Sequence, residues 1–317
     1  MVEAGLLDRL TIGDHVCWAV DDDRIRMRSL AGYFRAGLRA GQKIIYCGDD
    51  TGAVLAGVDS LGIDTAAAIA SGQLAAHPPG AAYVAGGVFD PVAMLVGWRR
   101  TIDRTRAEGF PGLRVLGDMA WASRGVPGAE RLPSYEAEIN RYFVDHDVVG
   151  VCAYDTRIFD PLLLRRITWS HSGAASTGAP FDPQLSLRVR RTLDPLGVRI
   201  SGEADLANRD ALRAIIEHLF ADAADAAAGS AASGSAASGS TASGSTAADD
   251  AVSGGAGEVT VDVGGLRFAD RAAVRILVSA AAGGRRVRLV GCSPALIRLL
   301  DFDGVGATPG LTIHTRR

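Results

Sequence analysis

The sequence predicts an α/β protein of two units, and three observations carry the prediction. Short β-branched runs alternate with apolar stripes of helical period from residue 13 to residue 172. A Ser-, Gly- and Ala-rich stretch over 170–183 interrupts that rhythm, and a second alternating stretch follows it. With 317 residues, 48 % of them apolar, the chain is long enough for two cores.

Composition narrows the function classes. A net charge of -3 and a pI near 6.1, with arginines scattered rather than blocked, argue against a nucleic-acid surface. Cys17, Cys47, Cys152 and Cys292 fall in or beside strand-like runs rather than in a disulfide framework, which fits a reducing cytoplasm. No run reaches the roughly 18 to 20 apolar residues that a bilayer requires, so no membrane contact is expected.

In the first unit, residues 13–20 read as a strand. Asp21, Asp22 and Asp23 then precede a stripe of Ile25, Leu30, Tyr33, Phe34 and Leu38 that Gly41 closes, which predicts a helix. Residues 42–47 form a buried strand, and Asp49, Asp50 and Thr51 open the next helix. A strand is expected over 73–77 and a long helix over 90–108, where Asp90 caps and Pro91 takes the first helical position. Residues 113–119 and 148–154 are strands with a helix over 134–145 between them, and Asp160-Pro161 launches a last helix to Trp169. Alternation of this kind favours a parallel sheet covered on both faces.

These residues also carry a family likeness. Gly13-Asp-His-Val-Cys17, the run from Ala36 to Tyr46, Gly117-Asp-Met-Ala-Trp121, Tyr135-Glu136 with Asn140, and Cys152-Ala-Tyr-Asp155 before Phe159-Asp-Pro161 resemble a MEDS domain over residues 8–172. The resemblance implies a sensory module for small organic ligands on a RecA-like α/β fold. A P-loop needs Gly-x-x-x-x-Gly-Lys-Ser/Thr between strand and helix. After the first strand this chain offers Asp21, Asp22 and Asp23, and Ile44 follows Gly41-Gln-Lys43 where a hydroxyl is needed. The expectation is a RecA-like domain without a P-loop and without ATP hydrolysis.

Residues 173–184 read as the linker. Residues 185–193 and 196–201 look like paired strands and 205–226 like a helix. Residues 229–257 are repeated Ser/Gly/Ala units without an aromatic, which predicts a flexible, disordered insertion. Beyond it a β-branched run reaches a Gly264-Gly265-Leu266 turn, and Asp270 caps a helix that buries Ala273, Val274, Leu277 and Val278. A strand over 286–290 ends in Gly-Cys-Ser before Pro294 opens another helix.

The stretches 198–205, 261–270 and 289–294 resemble a STAS domain of the anti-sigma factor antagonists, over residues 185–317. That resemblance implies a mixed-sheet α/β module whose partner is an anti-sigma factor or a related switch kinase. It also implies a phosphorylated Ser or Thr two residues after the Asp. Arg271 and Ala272 stand there instead, so phosphorylation at that site is not expected to switch this chain. The candidate partner-binding residues are Gly264, Gly265, Asp270, Arg271, Ala272 and Arg275.

Candidate ligand residues follow from strand geometry. His15 and Cys17 share one face of their strand and Trp18 takes the other. Ligands of open α/β sheets sit beyond the carboxyl ends of the strands, which here carry Trp18, Asp49, Asp118, Trp121, Tyr154 and Asp155, with Arg124 in the loop that follows. A soft metal or redox site among His15, Cys17, Cys47 and Cys152 lacks any Cys-x-x-Cys, so these cysteines read as apolar fillers and neither metal nor cofactor is expected. His77, His146, His171 and His314 carry no motif and read as surface or satisfied residues. The whole describes a cytoplasmic, non-enzymatic signalling regulator in which a ligand-sensing domain controls an antagonist module. The alternatives are a metal-dependent or phosphate-handling enzyme at the Asp-rich strand ends, and a non-catalytic scaffold.

Overall fold

The computed structural model describes residue 7, residues 9–234 and residues 258–315. In the first unit the chain runs β1 (His15–Val20), α1 (Asp23–Arg39), β2 (Lys43–Cys47), α2 (Thr51–Asp59), α3 (Thr65–Ala70), β3 (Leu74–His77), α4 (Pro79–Ala82) and α5 (Pro91–Ala107). It continues through β4 (Leu113–Asp118), α6 (Leu132–Glu138), α7 (Asn140–Asp145), β5 (Val148–Asp155), α8 (Pro161–Trp169) and β6 (Gly173–Ser176). Most helices start where an Asp or Ser side chain takes up free first-turn amides: Asp22, Asp50, Asp64, Asp90 and Asp160 all do so.

The six strands form one parallel sheet in the order β3-β2-β4-β5-β1-β6. Strand alternation sends Val16, Trp18, Val149 and Val151 to one face, where α1, α2 and α3 cover them. Cys17, Tyr154 and Leu113 go to the other face, against α5, α6, α7 and α8. The α/β class and the parallel sheet are as the sequence predicts. Two local differences stand out. Residues 173–176, inside the segment expected as linker, are β6 and pair with β1. The single helix expected over 134–145 is two, α6 and α7, joined at Ile139.

The second unit comprises β7 (Arg188–Leu193), β8 (Leu196–Ala204), α9 (Arg209–Gly234), β9 (Glu258–Ala269), α10 (Arg271–Ala282), β10 (Arg286–Cys292), α11 (Pro294–Phe302) and β11 (Leu311–Thr315). Its sheet runs β11-β10-β9-β8-β7, antiparallel between β7 and β8 and parallel elsewhere. One face packs on α9, α10 and α11 through Leu212, Ile216, Val274, Leu277 and Leu300. This is the mixed sheet that the sequence predicts.

Asp270 caps α10 by accepting from the Ala273 amide, and the expected face of that helix is buried. The expected Gly264-Gly265-Leu266 turn is not a turn: β9 runs through it with a register shift against β8. Glycine is needed at Gly265, where a Cβ would lie 2.7 Å from the Ser201 Cβ of β8, and at Gly291 of β10, where a Cβ would lie 2.7 Å from the Gly264 Cα. The insertion expected over 229–257 is helical to Gly234, as the end of α9, and residues 235–257 lie outside the described residues.

Candidate functional site

A cluster of polar side chains is buried between the central sheet and α6, α7 and α8. His15 begins β1, Cys152 lies on β5 one strand away, Glu136 comes down from α6, and His171 follows the end of α8. Glu136 and His171 are 0 % exposed and His15 is 1 % exposed. One oxygen of Glu136, Oε2, is the meeting point. It lies 3.4 Å from His15 Nε2, 3.6 Å from His171 Nε2 and 3.5 Å from Cys152 Sγ, which itself lies 3.6 Å from His15 Nε2. The other oxygen, Oε1, accepts from the Tyr154 hydroxyl at 2.5 Å.

The surrounding hydrogen bonds fix both imidazole tautomers. Asn140 Nδ2 faces three carbonyl oxygens, those of Glu136, Ala137 and Ser170, so its Oδ1 is the atom turned to His15 Nδ1 at 3.1 Å. His15 Nδ1 therefore carries the proton and donates it. His171 Nδ1 faces the Ile167 carbonyl at 2.9 Å and must donate as well. In the neutral His171 ring the Nε2 lone pair then points at Glu136. His171 Nε2 has no hydrogen-bond partner among the described residues. The His15 ring is held flat between Phe143, stacked at 4.4 Å, and His171 at 4.2 Å.

Burial, followed by the neighbouring His15, pushes His171 down to about 4, so the ring is neutral at physiological pH. Burial also pushes the Cys152 thiol well above its ordinary value, with the Glu136 charge adding to it. Beside the cluster is a cavity of ≈ 30 Å³, walled mainly by apolar groups such as Trp98, Ile102, Val115 and Val148 and touched by His15, Glu136 and Cys152. That space admits about two water molecules, or an organic molecule of a few heavy atoms.

Of the ligand residues expected from sequence, the structure brings His15 and Tyr154 into this cluster. The others lie elsewhere. Cys17 is on the same sheet face but bonds Thr168, and burial pushes its thiol, like that of Cys47, up to about 12. Trp18 is core on the opposite face, and Trp121 packs on Tyr83 and Phe89. Asp49 is paired with Arg124, Asp118 with Arg26, and Asp155 with Arg157, which also holds Asp23. The acidic strand ends are thus matched by cations of the chain itself.

Sequence reasoning missed Glu136 as a site residue and took His171 for a surface or satisfied side chain. The available signal was the Tyr135-Glu136 pair with Asn140 four residues on, which places Glu136 and Asn140 on one helical face. A second group of potential ligands, Asp145, His218 and Asp222, already surrounds the Arg191 guanidinium. Among the described residues no helix is long and apolar enough to cross a membrane.

No curated protein matches the chain. Among solved structures it is similar to the KaiC-like protein of the archaeon Pyrococcus horikoshii, at 11 % identity and a TM-score of 0.39, over 63 % of this chain and 86 % of that one. The family model for the methanogen/methylotroph DcmR sensory domain matches residues 14–172, the unit that contains the whole cluster, and the chain belongs to this MEDS family.

Proposed function

We propose that the chain is a cytoplasmic, non-enzymatic signalling protein. Its MEDS domain takes up a small organic ligand in the cavity beside Glu136, and its second domain, a STAS-like module, reports the result to an anti-sigma factor or related switch kinase. The observation that supports this best is the position of the cluster beneath the contact between the two domains. Asp14, next to His15, is buried and pairs with Arg188 of β7 at 2.7 Å. Ser172, next to His171, bonds the His15 backbone through its hydroxyl, and its carbonyl accepts from the Leu187 amide at 2.9 Å. Helix α7 begins with Asn140, which orients His15, and ends with Val144 in the second core and Asp145 on Arg191.

A ligand that moves Glu136 or either histidine therefore acts on residues one or two bonds from the second domain. In that domain Arg271 and Arg275 are exposed at the start of α10, where both hold Asp303, and Ala272 lies between them. With Gly264, Gly265 and Asp270 they make up the surface offered to the partner. No hydroxyl stands at 271 or 272, so control passes to the MEDS domain rather than to a kinase acting at that position.

The test is capture from host lysate with the full chain as bait, alongside an Ala272→Glu variant that sets a negative charge where a phosphate would sit. Recovery of a histidine-kinase-like ATPase by the parent chain, reduced at least tenfold for the variant, is the expected result. Recovery of no such protein by either bait would overturn the partner-switching reading.

A further inference from the structure

We propose that His15, Glu136, Cys152 and His171 bind a divalent transition metal of the zinc type, so that the sensing centre is a metal site. This replaces the sequence expectation of apolar cysteines and no metal. Its location rests on the reading of this cluster as the sensor, but its chemistry does not.

Around a tetrahedral ion with bonds of about 2.05 Å to nitrogen or oxygen and about 2.3 Å to sulfur, adjacent N and O ligand atoms lie about 3.4 Å apart and S lies about 3.6 Å from either. The two N–O separations are 3.4 and 3.6 Å, and the S–N and S–O separations are 3.6 and 3.5 Å. All four ligand atoms fall within 4.8 Å of one another. Hydrogen bonding alone does not ask for this arrangement. Glu136 Oε2 takes the Cys152 thiol as a donor, but His171, whose Nδ1 donates to the Ile167 carbonyl, turns its Nε2 lone pair on the same oxygen and gains no partner there. A cation at the centre of the four atoms turns each of those contacts into a bond.

Metal-bound histidines ordinarily donate their other ring N–H to a carbonyl or carboxylate, and ligating carboxylates are themselves hydrogen-bonded. His15 donates to the Asn140 side-chain carbonyl, His171 to the Ile167 carbonyl, and Glu136 receives the Tyr154 hydroxyl on the oxygen turned away from the cluster. A carboxylate and a thiolate with two neutral imidazoles carry two negative charges, which a divalent ion balances in a site where His15, Glu136 and His171 are buried and Cys152 is partly so. Cys152 loses its proton to solvent on binding, so binding releases about one proton per metal. The set of one sulfur, two nitrogens and one carboxylate suits Zn2+, or Co2+ as its spectroscopic substitute, better than Mg2+ or Ca2+. The adjoining cavity then lets a small molecule approach the metal.

The experiment uses the full chain purified without a polyhistidine tag, stripped by chelator and titrated with Co2+ or Zn2+ alone. One equivalent of metal is expected, with visible Co2+ bands of a tetrahedral centre and a sulfur-to-metal charge-transfer band. Cys152→Ser loses that band, His171→Ala weakens Zn2+ at least tenfold, and Tyr154→Phe weakens it about tenfold. Circular dichroism confirms that each variant is folded. Less than 0.2 equivalent of Co2+ or Zn2+ bound by folded parent protein would overturn the proposal, as would a charge-transfer band that survives in Cys152→Ser. Neither result depends on capturing a partner, so metal binding and partner switching fail separately.

Discussion

Replacing Arg191 by Ala tests whether the two domains behave as one cooperative unit. Arg191 lies on β7 of the second domain, 14 % exposed, and its guanidinium reaches Asp145 of α7 at 2.5 Å and Asp222 of α9 at 2.8 Å. His218 shares the same Asp145 carboxylate at 3.1 Å. Removing one partner of a fully buried ion pair costs about 3 to 5 kcal/mol. Here Asp145 is 20 % and Asp222 is 42 % exposed, and water recovers part of that, so about 2 kcal/mol is the expected loss. The readout comes from the tryptophans: all four, Trp18, Trp98, Trp121 and Trp169, lie in the first domain, and a Trp169→Phe background removes Trp169, whose ring lies 5.7 Å from the Arg209 guanidinium of the second domain, so that the remaining fluorescence follows the first domain. Urea unfolding of Arg191→Ala is therefore expected to lower the tryptophan midpoint, by the equivalent of about 2 kcal/mol, although the substitution is in the other domain. A double cycle with Asp145→Ala should return a coupling of about 1 to 2 kcal/mol. A tryptophan transition that moves by less than about 0.5 kcal/mol while the far-ultraviolet signal moves more would show that the domains unfold independently, and the transmission argument would fall with it.

Asn140→Ala removes the acceptor of His15 and leaves the carbonyls of Glu136, Ala137 and Ser170 without their side-chain donor, and at about 1 to 3 kcal/mol per stranded buried group the expected cost is about 3 kcal/mol by urea unfolding. A loss below about 1 kcal/mol would show that the bonds around His15 are not what holds the cluster. The Asp145 clamp also sets an acid limit: burial acts to raise its carboxyl, but His218 and Arg191 outweigh burial and hold it below its ordinary value. A carboxyl depressed in the folded state stabilises fully above its unfolded value, about 3.9, and loses that contribution as pH falls through the folded value. Tryptophan-detected stability should thus hold between pH 7 and pH 5 and fall below about pH 4, with Asp145→Asn falling less steeply. Equal acid slopes for the two proteins would remove Asp145 from the account.

Much of the fold was legible because its determinants are local. Asp22, Asp90, Asp160 and Asp270 all cap helices where the sequence places them, since a cap needs only a short polar side chain and the amides two or three residues on. Strand β6 was not legible: Gly173-Ala-Ala-Ser176 contains no β-branched residue, and it is a strand because β1 offers it a free edge. Gly264 and Gly265 misled for the opposite reason, because glycine serves both turns and close backbone approach, and the neighbour that decides at Gly265, Ser201 of β8, is 64 positions away. In the cluster, strand parity gave His15 and placed Tyr154 at a strand end. Glu136 and His171 reach it from a helix and a helix terminus, and no sequence period joins those two positions to a strand.

The carboxyl-end rule for open sheets pointed to Asp49, Asp118 and Asp155, and the chain's own arginines explain why the binding chemistry lies elsewhere. Arg124, Arg26 and Arg157 neutralise those carboxylates, so the mouth of the sheet has little unspent charge with which to hold a ligand. Among the described residues Glu136 has no such arginine: its neighbours are two imidazoles, a thiol and a phenol. For a sensor this placement has a physical advantage. A ligand at the open mouth would have to break ion pairs already made, of which the exposed Arg124–Asp49 pair is worth about 1 kcal/mol or less while Asp118 is buried under Arg26. A ligand at Glu136 acts where there is room for about two water molecules at most, on side chains whose sequence neighbours Asp14 and Ser172 are bonded to the second domain. The event with the most free energy to transmit thus occurs where the path to the output is shortest.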